Sequence, residues 1–135
     1  MLVRSDFMKK LLIVLSLLIF VSTLSACKSD EYENISNEQL SEMLASDDNY
    51  YFIDVRTEQE FNNLRIPGFS NLDLYSFDKN PELINTLDLD KSIPVVIMCN
   101  SGNRSVTAAK IFIDQGFTTV YNLKNGIQGW DGTTN

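Results

Sequence analysis

Histidine is absent from the 135-residue chain. That absence excludes Cys–His and Ser–His–Asp catalysis and any histidine-based metal site. Cysteine is scarce, with only Cys27 and Cys99, far apart. With no C-x-x-C pair, zinc ribbons and thioredoxin-type redox motifs are excluded too. Basic residues are few: 11 Lys and Arg against 18 Asp and Glu give a net charge of −7. Such a chain lacks the basic face that nucleic acid requires, and anionic lipid headgroups offer it no electrostatic attraction. No repeat or low-complexity tract is visible. Apolar residues make up 44%, an ordinary globular share, and the length suits one domain with a real core.

A full membrane-spanning run is also missing. Leu11 to Val21 is apolar apart from Ser16, whereas a spanning helix needs about 20 such residues. Met8-Lys9-Lys10 before it and Ser22 to Ala26 after it give the order of a secretory signal: basic, apolar, small. Asp6 is out of place in a basic region, so translation from Met8 stands beside translation from Met1. Leu24-Ser25-Ala26-Cys27 resembles the lipobox of bacterial lipoproteins. The resemblance implies cleavage before Cys27, a diacylglycerol thioether on its sulfur and an acyl group on its amine. Two or three acyl chains anchor far better than one. On this reading 1–26 is a lipoprotein signal peptide, 27–33 a lipidated tether and 34–135 the folded domain. The domain is then held at the cell membrane on its extracytoplasmic side. An ordinary cleaved signal, or an uncleaved anchor helix with Cys27 incidental, is the competing reading. Loss of 1–26 removes Arg4, Lys9, Lys10 and Asp6, leaving 8 basic and 17 acidic residues, a net of −9.

The remainder alternates helical and strand patterns. Ser36-Asn37-Glu38-Gln39 forms a capping box, with Ile35 and Leu40 at the hydrophobic-staple positions. Leu40, Met43 and Leu44 give that helix one apolar face. Tyr50 to Val55 reads as a buried strand. Thr57 to Glu60 is a second capping box, opening a helix with Phe61 and Leu64 inside, ended by Ile66-Pro67-Gly68. Asn80-Pro81 fits a cap followed by proline, with Leu83, Ile84 and Leu87 facing inward. Ile93 to Met98 is the strongest strand pattern, with Pro94 near its start. Ser105 to Gln115 is the best helix, with Val106, Ala109 and Ile113 on one stripe and Gly116 as a left-handed cap. Thr118 to Leu123 reads as a strand and Gly126 to Trp130 as a short final helix. Strands separated by helices predict an α/β fold of three layers, a mainly parallel sheet with helices on both faces. Ligands of such sheets bind beyond the carboxyl ends of strands.

Cys99 stands at one such end. Cys99-Asn100-Ser101-Gly102-Asn103-Arg104-Ser105 joins the strongest strand to the best helix. A tight loop there turns backbone amides inward, and the helix N-terminus adds positive potential. Gly102 permits a backbone angle closed to other residues, and Arg104 adds a permanent charge. All of these favour thiolate, so the Cys99 pKa is expected below the usual ~8.5. The same donors suit an anionic substrate. Taken alone, a cysteine at a strand end is more often a buried apolar residue.

Ile53-Asp54-Val55-Arg56, Glu60-Phe61, Ile66-Pro67-Gly68, Cys99 with Gly102-Asn103-Arg104-Ser105, and Asn125-Gly126-Ile127 with Trp130 occur in that order. Together they resemble the rhodanese-homology domain from about residue 34 to 131. The resemblance implies a rhodanese-like fold and sulfur transfer through a Cys99 persulfide, taken from thiosulfate or a persulfide and passed to a thiol or other nucleophile. It implies that Asn100 to Ser105 bind the donor and that Asp54 and Arg56 brace the loop. Trp130 and Tyr50-Tyr51 are expected to pack only. Many relatives have histidine where this chain has Arg65, which either sits at the pocket mouth or is simply solvated. Few residues follow Trp130, so the last helix is expected to be short.

Two rivals remain open. Phosphatases and arsenate reductases on this fold place five residues between cysteine and arginine, whereas Cys99 and Arg104 enclose four. The tighter loop favours a single sulfur atom. The other rival is a non-catalytic binding or sulfide-carrier module. No metal or organic cofactor is implied, and the protein is expected to act as a monomer with small-molecule donor and thiol acceptor as partners. If Cys27 carries lipid, Cys99 has no disulfide partner in its own chain and faces oxidation.

Overall fold

The computed structural model describes residues 31–135. The signal peptide, the lipidation of Cys27 and most of the tether lie outside the described residues. In chain order the elements are β1 (Glu33–Ile35), α1 (Asn37–Ala45), β2 (Tyr51–Asp54), α2 (Glu58–Asn63), β3 (Ser70–Asn71), β4 (Val95–Met98), α3 (Asn103–Asp114) and β5 (Val120–Leu123). Short 3-10 helices occupy Leu74–Ser76, Pro81–Leu87 and Ile127–Gly129.

Both capping boxes form. Ser36 Oγ accepts from the Gln39 amide while the Gln39 side chain accepts from the Ser36 amide, and Thr57 and Glu60 repeat the exchange. Ile35 and Leu40 are fully buried in one cluster, as a staple requires. Gly116, at φ +97°, ends α3 in a Schellman turn: its amide donates to Ile113 O and that of Phe117 to Phe112 O.

The strands make one sheet in the order β1-β5-β4-β2-β3, every pairing parallel. At its centre, all four residues of β4 are fully buried. Successive side chains of a strand point to opposite faces, and the core divides accordingly. Val95, Ile97 and Cys99 join Ala108, Ala109 and Phe112 of α3 on one face. Val96 and Met98 join Leu40 of α1, Ile66 and Phe69 on the other. Helices on both faces give the three layers expected, and the carboxyl end of β4 leads straight into the Cys99 loop.

Several local expectations need correction. β1 and β3 are strands that the sequence pattern did not announce, and β1 takes Glu33 out of the expected tether. Pro81–Leu87 is a 3-10 helix, and Asn80 makes no side-chain cap. With three residues per turn, Leu83 stands a third of a turn from both Ile84 and Leu87. Only Ile84 is buried; Leu83 is exposed, as is Leu87, at the point where the chain turns away through left-handed Asp88. Leu64 caps α2 and is exposed rather than inside. α3 begins at Asn103, two residues early, and its buried face carries Ser105, Ala108, Ala109, Phe112 and Ile113. Val106 is only half-buried. The stripe is turned because the small residues approach the sheet and Ser105 points at Cys99.

Candidate active site

Met98 ends β4 and Asn103 starts α3, so four residues make the whole turn. Gly102 is the N-cap of α3 at φ +95°, and no side chain caps that helix. Its amide instead donates to Cys99 Sγ at 3.1 Å, and Ser105 Oγ donates to the same sulfur at 3.3 Å. The Ser105 hydroxyl also lies 3.1 Å from the Gly102 carbonyl. It has one proton to give, so a thiolate at Cys99 draws that proton away from the carbonyl. A Cβ on Gly102 would run into the Lys124 carbonyl, and one on Gly126, at φ +58°, into the Cys99 and Asn100 carbonyls. The turn after β5 therefore lies directly on the Cys99 loop. Ile127 and Gln128 amides clamp it by donating to the Cys99 and Asn100 carbonyls at 2.9 and 3.0 Å.

Cys99 is buried, with 1% of its surface exposed. Burial pushes its thiol pKa up. The hydroxyl and amide of Ser105 and the amides of Ser101 and Gly102 more than offset this, and the net direction is down. A pKa lowered by folding means that the thiolate contributes stability above the unfolded value and loses it as pH falls through the folded one. Thiolate absorbance, taken as the difference between the protein and its Cys99→Ser variant, is expected to titrate below the free-cysteine value of ~8.5. A midpoint at or above that value would contradict the geometry.

Arg104 points its guanidinium at Glu60. Nη1 and Nη2 each donate to a different carboxylate oxygen at 2.7 Å, a bidentate pair between α3 and α2. The Arg104 hydrogen bonds hold the Glu60 carboxyl at about 2. Asp54 and Arg56 form a second pair, this one wholly buried. Arg56 Nη2 donates to Asp54 Oδ2 at 2.7 Å, and Nε bonds both carboxylate oxygens at 3.0 Å. Arg56 Nη2 also donates to the Leu64 carbonyl at 2.6 Å. Asn71 Nδ2 donates to the Asp54 and Arg56 carbonyls, tying β3 to the same turn. Among the described residues, no group of three or more acidic or cysteine side chains is placed to hold a metal.

The rhodanese-like domain family model matches residues 36–133, most of the chain. The chain belongs to the rhodanese-like domain family. YtwF of Bacillus subtilis, which bears a provisional sulfurtransferase name, is 36% identical over 104 residues, covering 77% of this chain and 95% of its own length. The thiosulfate sulfurtransferase GlpE of Pseudomonas aeruginosa is 34% identical over 102 residues, covering 76% of this chain and 86% of its own. A crystal structure of a rhodanese-like domain protein from Staphylococcus aureus superposes with a TM-score of 0.60 at 22% identity, covering 73% of this chain and 90% of that one. The last comparison concerns the fold alone.

The rhodanese-like domain brings Gly102, Ser105 and the Ser101 amide to the Cys99 sulfur and leaves the other candidates apart from it. The Asn100 carbonyl accepts from the Gln128 amide outside the loop, while Ser101 and Asn103 are exposed on its rim. Arg104 is spent on Glu60 rather than standing free. Asp54 and Arg56 make no side-chain hydrogen bond to the loop. Their contacts brace the β2–α2 turn as far as Leu64, which corrects the direct bracing expected of them. Arg65 lies 5.4 Å over the Phe61 ring and exchanges two backbone hydrogen bonds with Asn135. None of those partners belongs to the loop, so these contacts do not place Arg65 at a pocket mouth. Glu60 and the Gly126–Gln128 clamp join the site although neither is among the site residues that the sequence motif implies. A signal for Glu60 was present: its capping box leaves carboxylate lone pairs free, on a helix leaving the same sheet end as Cys99.

Proposed function

We propose that this rhodanese-like domain is a sulfurtransferase that carries sulfane sulfur on Cys99, and that lipid on Cys27 anchors it outside the cytoplasm. The observation that carries the reading is the donor ring on Sγ, made by the Gly102 amide and the Ser105 hydroxyl. These donors sit where negative charge resides on the Cys99 thiolate, the nucleophile that takes the sulfur. Cys99 thiolate attacks the outer sulfur of the donor. A Cys99–sulfur bond forms as the donor's own bond to that sulfur breaks, and the leaving group departs with the electron pair. A thiolate acceptor then attacks the outer sulfur of the Cys99 persulfide, forming the acceptor's persulfide and releasing Cys99 thiolate. The names of YtwF and GlpE support this chemistry, and the four-residue spacing to Arg104 favours a sulfur atom over a tetrahedral phosphate.

Turnover tests the activity: with a sulfane-sulfur donor and a dithiol acceptor, sulfide should be released catalytically. Faster turnover of a phosphate ester than of any sulfur donor would overturn the reading. For the anchor, membrane fractionation is expected to find the precursor-derived protein with the membrane and a Cys27→Ser variant in the soluble fraction. Equal partition of the two would remove the lipid from the account.

A further inference from the structure

Arg104 is the one guanidinium in the Cys99 loop, and both arms of its fork are occupied by Glu60. Glu60 is fixed in its turn by Thr57, whose amide and hydroxyl donate to Oε2 at 3.0 Å. With its pKa held at about 2, Glu60 stays ionised at any ordinary pH. Three of the other cations are engaged elsewhere: Arg56 with Asp54, Lys91 with Asn85 and Gln115, Arg65 over Phe61. The groups that donate to Sγ are neutral backbone amides and a neutral hydroxyl. The loop thus offers dipoles, with its guanidinium charge neutralised by a carboxylate, in a chain of net charge −7.

We propose that Glu60, by occupying Arg104, sets donor specificity: it directs Cys99 toward organic persulfides and away from thiosulfate. The inference rests on the sulfur-transfer reading above and names its donor class. Charge bookkeeping separates the two donors. With R–S–SH, Cys99 thiolate bonds the outer sulfur, the donor S–S bond breaks, and R–S⁻ leaves to take a proton from solvent. The reacting system carries one negative charge. With thiosulfate, the same attack releases sulfite dianion and leaves a Cys99 persulfide anion, so three negative charges pass through the transition state. A site that stabilises the persulfide transition state with dipoles alone, beside a fixed carboxylate, disfavours the more charged one.

The test compares kcat/KM for thiosulfate and for N-acetylcysteamine persulfide, an organic donor that carries no charge beyond its own persulfide group and reacts as R–S–SH. Glu60→Gln frees Arg104 and is expected to raise the thiosulfate-to-persulfide ratio at least about tenfold. Glu60→Asp keeps the charge and should leave the ratio within about threefold of wild type. A merely structural Glu60 would lower both rates together and leave the ratio unmoved in Glu60→Gln, which overturns the inference. In the wild type, added salt should raise kcat/KM for thiosulfate by screening repulsion and leave the persulfide value flat. A thiosulfate rate that falls with salt overturns the inference even if the variant fails to fold. Should Cys99 accept sulfur from neither donor, the sulfurtransferase reading itself falls. Good transfer from thiosulfate with an unmoved ratio removes only the role of Glu60.

Discussion

Cys99→Ser is expected to lower sulfur transfer by more than about a thousandfold, because a serine hydroxyl cannot stand in for a thiolate nucleophile. The substitution is mild in every other respect. It removes no large volume, and the new hydroxyl can accept from the Gly102 amide and the Ser105 hydroxyl that now reach Sγ. With that hydroxyl hydrogen-bonded, the stability cost should stay in the ordinary range of a single substitution, about 0.5–3 kcal/mol. Steady-state turnover and a urea titration of the same preparation separate the two effects. A variant that folds normally yet keeps a tenth of the activity would show that the sulfur is carried elsewhere.

Arg56→Met is expected to destabilise the fold by about 3–5 kcal/mol, the cost of leaving a buried carboxylate without its partner. Asp54 is fully buried and Arg56 is 3% exposed, so neither charge has water to fall back on. Four bonds are lost together: three from the guanidinium to Asp54 and one to the Leu64 carbonyl. Asp54 would keep only the Arg56 amide, at 3.0 Å. Since domains of this kind are stable by only about 5–15 kcal/mol, the variant should be unfolded at modest urea. The double variant Asp54→Leu/Arg56→Met removes both charges and is expected to recover most of the loss. A single variant as stable as wild type would mean that the pair contributes nothing, and the double variant then has nothing to recover.

What could be read from the chain alone followed locality. The capping boxes at Ser36 and Thr57, the Schellman glycine Gly116 and the buried run Val95–Met98 are each encoded within a few residues, and each is present. β1 and β3 are three and two residues long. Such strands have no period to detect and exist only because Leu123 and Ile53 offer a ladder to pair with. The apolar Leu64, Leu83 and Leu87 pointed inward by composition, yet which of them is buried depends on how the chain leaves each helix.

The site divides in the same way. Cys99, Gly102 and Ser105 fall within seven residues, and the direction of the Cys99 pKa follows from that loop. The partner of Arg104 lies 44 residues away, and the clamp from Ile127 and Gln128 crosses from another strand. Such contacts are set by where α2 and α3 leave the carboxyl ends of their strands and by the turn after β5 lying on the Cys99 loop. They change the chemistry expected of the site, because an arginine read as a free anion holder is already paired.

The most direct measurement is the mass of the protein after exposure to a sulfane-sulfur donor, followed by mapping of the modified peptide. The account predicts a gain of one sulfur atom on the peptide containing Cys99, lost again on adding a thiol acceptor and absent from Cys99→Ser. No gain with thiosulfate or an organic persulfide, or a gain that persists in Cys99→Ser, would contradict it.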